Sequence, residues 1–185
     1  MRSYQKLKLR LPASDIVVDA GELTLIKEHN EPQKYGVRLS KLREFKSVPS
    51  KTYMAKPEDA AKVVALLPKE LLDVEVPEVW LLYIKPDENS LTSMLAPHKD
   101  IVRLCGINFY LETHGERTVY YSYASGGKLT EVGSFVAQDG ECYVMDVDEP
   151  HAVELTPNYV RRMVSVSFVR TPYKEVIKYF DNCYA

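Results

Sequence analysis

The sequence predicts a mainly β fold with flanking helices, a sandwich or barrel of about six to eight strands. Three observations predict it. Short apolar runs recur roughly every 8–12 residues through the second half of the chain. Turn signals such as Ser125-Gly126-Gly127 and Asp139-Gly140 separate them. Helical spacing is confined to the segments before Pro68 and to the tail.

Taken in order, Leu23-Thr24-Leu25-Ile26 reads as a short strand. Val37 to Phe45 sets Leu39, Leu42 and Phe45 at helical spacing, with Ser40 as a candidate cap. The clearest helix opens at Pro57. Proline suits the first helical position, and Glu58 and Asp59 suit the positive end of the helix dipole. Ala60, Val63, Val64 and Leu67 share a face, and Pro68 ends or kinks the helix. Val79 to Ile84 is a continuous apolar run and reads as a central strand. Arg103 to Leu111 is another strand. Thr118 to Tyr123 turns back through Lys128-Leu129-Thr130 as a hairpin. Ser134 to Ala137, Glu141 to Val147 and Arg162 to Val169 complete the strands. Pro172 to Asn182 reads as a helix with Val176, Ile177 and Phe180 on one face. A single domain is expected over residues 1–185: a mixed helical part at 1–78, a β core at 79–170 and a C-terminal helix at 171–185. A double-stranded β-helix fits this pattern, although strand count does not select it among sandwiches.

With 45% hydrophobic and 27% charged residues, the composition is that of a globular protein. A net charge of -2 gives no electrostatic case for nucleic acid or an anionic membrane as partner, although it leaves room for a local basic groove. The N-terminus has no apolar core of a signal peptide, and no apolar run approaches the roughly 18 residues of a membrane span. Cys105, Cys142 and Cys183 are odd in number and widely spaced. They read as reduced, buried thiols of a cytoplasmic protein.

The chemistry centres on Leu95-Ala96-Pro97-His98-Lys99-Asp100. Residues i and i+2 point the same way where a strand begins, so one backbone turn can aim His98 and Asp100 at one ion. Two imidazoles and one carboxylate on an octahedral face leave three open positions, the donor set of non-haem Fe(II) oxygenases. His29 and His114 lie in polar stretches that read as surface loops. His151 instead opens His151-Ala152-Val153-Glu154-Leu155, with strand alternation and enough intervening chain to return to the same edge. Oxygen activation needs an electron donor. If that donor is 2-oxoglutarate, its far carboxylate calls for a fixed, bidentate cation. Arg161 stands ten residues past His151. Arg161, Met163, Ser165 and Ser167 share the more polar strand face, where Ser165 could add a hydroxyl. Arg162, Val164, Val166 and Phe168 share the other. Parity favours Arg161 over Arg162, and one bulge would reverse the choice.

Pro97-His98-Lys99-Asp100, Gly140-Glu141-Cys142-Tyr143-Val144-Met145-Asp146, Pro150-His151-Ala152-Val153 and Arg161 together resemble the Fe(II)/2-oxoglutarate-dependent oxygenases. The resemblance spans Val79 to Val169 and points to the aspartyl/asparaginyl or prolyl hydroxylase branches. It implies a double-stranded β-helix, the cupin-like jelly roll. It implies His98, Asp100 and His151 as iron ligands and Arg161 as the partner of the 2-oxoglutarate carboxylate, with O₂ as oxidant. It places Asn108 and Tyr110 beside the cosubstrate pocket, with Tyr121 and Tyr123 as lesser candidates for the cleft. Halogenating relatives replace the carboxylate ligand by a small residue, so Asp100 favours hydroxylation. The implied substrate is an amino acid, a peptidyl side chain or another small molecule. Two alternatives stay open: a cupin-like metalloenzyme without 2-oxoglutarate, although no His-x-His occurs, and a non-enzymatic β-sandwich binding protein.

Overall fold

The computed structural model describes residues 3–11, 16, 25–29, 50–84, 94–100, 102–124 and 128–180. In chain order these form β1 (Tyr4–Leu7), β2 (Leu25–His29), β3 (Ser50–Met54), α1 (Pro57–Val64), α2 (Lys69–Val74), β4 (Glu78–Ile84), β5 (Met94–His98), β6 (Cys105–Glu112), β7 (Arg117–Tyr123), β8 (Leu129–Val136), β9 (Cys142–Asp146), β10 (His151–Glu154), β11 (Arg161–Phe168) and α3 (Tyr173–Val176). A 3-10 turn, Ile177–Phe180, follows α3.

The strands make two antiparallel sheets. The larger runs β1-β9-β6-β11-β4-β3-β2 and the smaller β5-β10-β7-β8. From β4 onward the chain passes from large sheet to small and back, which is the winding of a double-stranded β-helix, or jelly roll. Side-chain alternation explains the two cores. Val164, Val166 and Phe168 of β11, with Ile107 and Phe109 of β6, face α1, α2 and α3, where Val63, Leu71, Val176 and Phe180 cover them. The opposite face looks into the barrel. There Tyr110, Met145 and Met163 of the large sheet meet Tyr120 and Val153 of the small one.

The strands predicted from Val79 onward are present apart from Ser134 to Ala137, and β4 is interior to its sheet. Several details differ. Ser134 to Ala137 is no separate strand, because the hairpin partner of β7 runs unbroken as β8. The helix from Pro57 ends at Val64, and Pro68 caps a second short helix, α2. β1 and β3 had no expectation, being four or five residues and too short to show a period. The strand expected to begin at His98 and Asp100 instead ends at His98, as β5, and Asp100 lies in the turn after it. His29 belongs to β2 and not to a loop. The expected helix over Val37 to Phe45, the 125–127 turn and Cys183 lie outside the described residues. Cys105 and Cys142 are free and buried, and burial pushes both thiols upward. No helix among the described residues is long and apolar enough to cross a membrane.

Candidate metal centre and carboxylate pocket

β5 and β10 are neighbours in the small sheet, and their register sets His98 directly opposite His151. Cross-strand partners are the closest side-chain pairs a sheet offers, and the two imidazole centroids stand 4.5 Å apart. Asp100 follows the end of β5. Its backbone N–H donates to the Val147 carbonyl at 2.9 Å, which ties the turn to the large sheet. Asp100 Oδ1 lies 3.6 Å from His98 Nε2. One donor atom from each of His98, Asp100 and His151 falls within 4.8 Å of the other two, close enough to share an ion.

The protonation states suit a cation. His151 Nδ1 lies 2.9 Å from the Glu149 carbonyl, which can only accept. The ring proton therefore sits on Nδ1, and the Nε2 lone pair is left for a metal. Burial, with His98 alongside, holds His151 down to about 4, so the ring is neutral near pH 7. Burial alone would raise Asp100. The Arg103 guanidinium and the two histidines overcome it and bring the carboxyl to about 2.

Further into the barrel lies Arg161, 2% exposed. Its guanidinium sits 5.1 Å over the Tyr110 ring, and Nη2 donates to Thr118 Oγ1 at 3.4 Å. Among the described residues, Nε and Nη1 have no hydrogen-bond partner, and neither does the buried Tyr120 hydroxyl. A buried cation with unpaired donors is costly, and a planar fork of this kind matches a carboxylate. The small sheet links the two centres. On β7, Tyr120 pairs with His151 and Thr118 with Val153. Tyr120 and Thr118 share the inward face, so the level of Arg161 lies two residues along β7 from the level of His151, about 6.6 Å. That is the scale of a short dicarboxylate.

Arg162 points outward to Glu112. The register does slip against β6 between Arg162 and Met163, but it stays unbroken against β4, so the extra residue belongs to β6 and the parity of β11 survives. Asn108, Tyr110 and Ser165 line the same interior. Asn108 Nδ2 donates to Met145 sulfur at 3.0 Å, and the Tyr110 hydroxyl approaches that sulfur at 3.8 Å. Ser165 donates to Asn108 Oδ1 at 2.6 Å and accepts from Arg103. Its hydroxyl is thus engaged by Arg103 and Asn108, not by Arg161. His114 stacks on Tyr159 at 4.3 Å, outside the triad. Tyr121 is half-buried and Tyr123 exposed.

Two inward residues, Arg103 and Tyr120, enter the sequence reading only as strand residues and not as part of a site. Arg103 donates through Nε to Asp100 Oδ2 at 2.5 Å. An arginine three residues past a ligand and just ahead of an apolar strand is a weak signal, since nothing local reveals its burial. Tyr120 carries no signal either, since Thr118, whose parity it shares, is itself unmarked in the sequence.

No family model and no curated protein matches the sequence. Solved structures do. A prolyl-4-hydroxylase from Pseudomonas putida superposes with a TM-score of 0.53 at 16% identity, over 92% of this chain and 94% of that one. The Escherichia coli ribosomal oxygenase YcfD gives 0.47 at 17% identity, over 71% of this chain and 35% of that one. A predicted oxalate decarboxylase from Thermotoga maritima gives 0.36 at 16% identity, over 83% and 99%. The likeness to the hydroxylase is one of fold, the same jelly roll.

Proposed function

We propose that this chain is an Fe(II)- and 2-oxoglutarate-dependent oxygenase that hydroxylates an amino acid, a peptidyl side chain or another small molecule. The observation that carries the reading is Arg161. A buried guanidinium with two unpaired donors shares one barrel with a His-Asp-His cluster. A scaffold that holds neither a metal nor an anion leaves that combination without a role. A metalloenzyme without an oxo-acid cosubstrate leaves the arginine unexplained.

In this reading His98, Asp100 and His151 hold Fe(II), and Arg161 takes the far carboxylate of 2-oxoglutarate. When bound, that pair would supply the activation of O₂: oxidation of 2-oxoglutarate to succinate and CO₂ would put one oxygen atom into succinate and the other into a substrate C–H bond. The protein's own work is positional. The proton on His151 Nδ1 stays with the Glu149 carbonyl and keeps Nε2 open. Thr118 and the Tyr110 ring hold the Arg161 fork in place. The buried Tyr120 hydroxyl, on the strand position opposite His151, offers a further donor. The apolar walls of Tyr110, Met145, Val153 and Met163 exclude water.

Anaerobic titration with Fe(II) and 2-oxoglutarate tests it, read by the weak visible metal-to-ligand charge-transfer band. A band is expected in the wild type and none in His98→Ala or Asp100→Ala. A band that survives both substitutions sinks the ligand assignment. Metal binding without a band, and without any effect of 2-oxoglutarate, favours the cupin-like alternative. Succinate release across free amino acids and short peptides then narrows the substrate.

A further inference from the structure

Arg103 lies just ahead of β6 and is 8% exposed. Its backbone is fixed, because the next residue, Leu104, donates its N–H to the Phe168 carbonyl at 2.8 Å. Its side chain is held on several sides. Nε donates to Asp100 Oδ2 at 2.5 Å. Nη1 donates to the hydroxyls of Ser165 and, at 3.2 Å, Ser167 on β11. The guanidinium carbon lies 5.6 Å from the centre of the Trp80 ring on β4. On β6 the residue beneath it is Gly106, where a β-carbon would stand 3.2 Å from Nη1. Arg103 is thus a clamped guanidinium whose Nε and Nη1 are occupied by the protein. Arg161, with Nε and Nη1 unpaired, is the contrasting case.

The clamp divides the two oxygens of Asp100. Oδ2 belongs to Arg103, while Oδ1 is the oxygen near His98 Nε2. A carboxylate can give a cation one oxygen or both. Giving both would pull Oδ2 away from a part-buried, charge-assisted hydrogen bond and leave the guanidinium short of its counter-ion. We propose that Arg103 is a positioning residue that reserves Asp100 Oδ2, so that the carboxylate presents a single oxygen to a metal ion. The proposal rests on the metal-site reading above and gives it a stoichiometric consequence. With one oxygen from Asp100 and two imidazoles, an octahedral ion keeps three positions open; with both oxygens it keeps two. Two atoms of an oxo-acid chelate and one of O₂ require three. Arg103 therefore acts on how many ligands the ion can still accept.

The test uses Mn(II) alone on the full chain, with no 2-oxoglutarate, and reads water-proton relaxation per bound ion. In Arg103→Gln the second oxygen is released to the ion. Relaxivity per bound Mn(II) is expected to fall by about a third, as one of three water positions is taken. Arg103→Lys keeps a cation and a donor and is expected to lie closer to wild type. Gly106→Ala keeps every charge and crowds Nη1, and is expected to lower relaxivity by a smaller amount. Wild-type relaxivity in both Arg103→Gln and Gly106→Ala overturns the proposal while leaving the metal site standing. Wild-type Mn(II) affinity in Asp100→Ala removes the metal site and the proposal together. Should Arg103→Gln fail to fold, Gly106→Ala decides alone.

Discussion

At the scale of single residues, two arginines one position apart have opposite environments. Arg161 is inside with unpaired donors; Arg162 is at the surface with Glu112. Arg161→Ala is expected to weaken 2-oxoglutarate binding by at least about 30-fold, the low end for losing one partner of a buried charge pair. Arg162→Ala is expected to change it little, as exposed ion pairs contribute little. Titration of the charge-transfer band measures both, and a larger effect at Arg162 would reverse the assignment. Tyr120→Phe removes only a hydroxyl, and a loss of about 2–10-fold is expected, the range of one neutral hydrogen bond. His151 carries a prediction in pH. Its folded pKa, about 4, lies below the ordinary 6.5. The unfolded chain therefore takes up the proton first, and the metal-free protein loses stability as pH falls from 6.5 toward 4. Denaturant midpoints across that range should decline in the wild type and flatten in His151→Gln. A wild-type midpoint that holds level would contradict the buried, neutral ring. His98, Asp100, His151 and Arg161 could be singled out from spacing and parity because each sits on or beside a strand, where direction follows from counting. Arg103 and Tyr120 could not, because their inward position depends on which strands become neighbours.

Elements show the same division between local and tertiary information. The apolar runs of β4, β6, β9 and β11 are long enough to be read directly; β6, β9 and β11 are buried on both faces of the large sheet, while β4 alternates buried and half-buried residues. β1 and β3 are made into strands by the neighbours they pair with, β9 and β4. α2 ends in a contact no pattern announces. Glu75, just past its last residue, is buried and accepts the backbone N–H groups of Val169, Arg170 and Thr171, and the Thr171 hydroxyl at 2.6 Å. One carboxylate thus satisfies the turn between β11 and α3. Burial would raise its pKa, but the Thr171 hydroxyl and the three amides lower it on balance. Its stabilisation is present above the ordinary carboxylate range and is lost as pH falls through the folded value. Glu75→Gln keeps the shape, removes the charge and replaces one acceptor oxygen by a donor. A loss of about 1–3 kcal/mol is expected, several degrees in Tm by thermal unfolding. An unchanged Tm would show that water serves those amides as well.

For the molecule as a whole, the triad is a junction between sheets. His98 and His151 belong to β5 and β10 of the small sheet. Asp100 is bound through its amide to Val147 behind β9, and through Arg103 to Ser165 and Ser167 of β11, all on the large sheet. An ion shared by the three side chains would cross-link the two walls of the jelly roll at one mouth. Among the described residues β5 is an edge strand of its sheet, paired with β10, and gains most from such a link. A ligand that binds only the folded chain stabilises it by mass action, about 2.7 kcal/mol at one hundred times Kd. For a domain of this size that is a rise in Tm of about 5–10 °C. Mn(II) at that excess should produce the rise in the wild type and not in Asp100→Ala. Hydrogen exchange should show where the gain arises. Amides of β5 and β10 are expected to slow beyond the global gain in stability, while those of β2 and β3, at the far edge of the large sheet, follow it. Equal protection in both regions would mean that the ion stabilises the fold without joining the sheets.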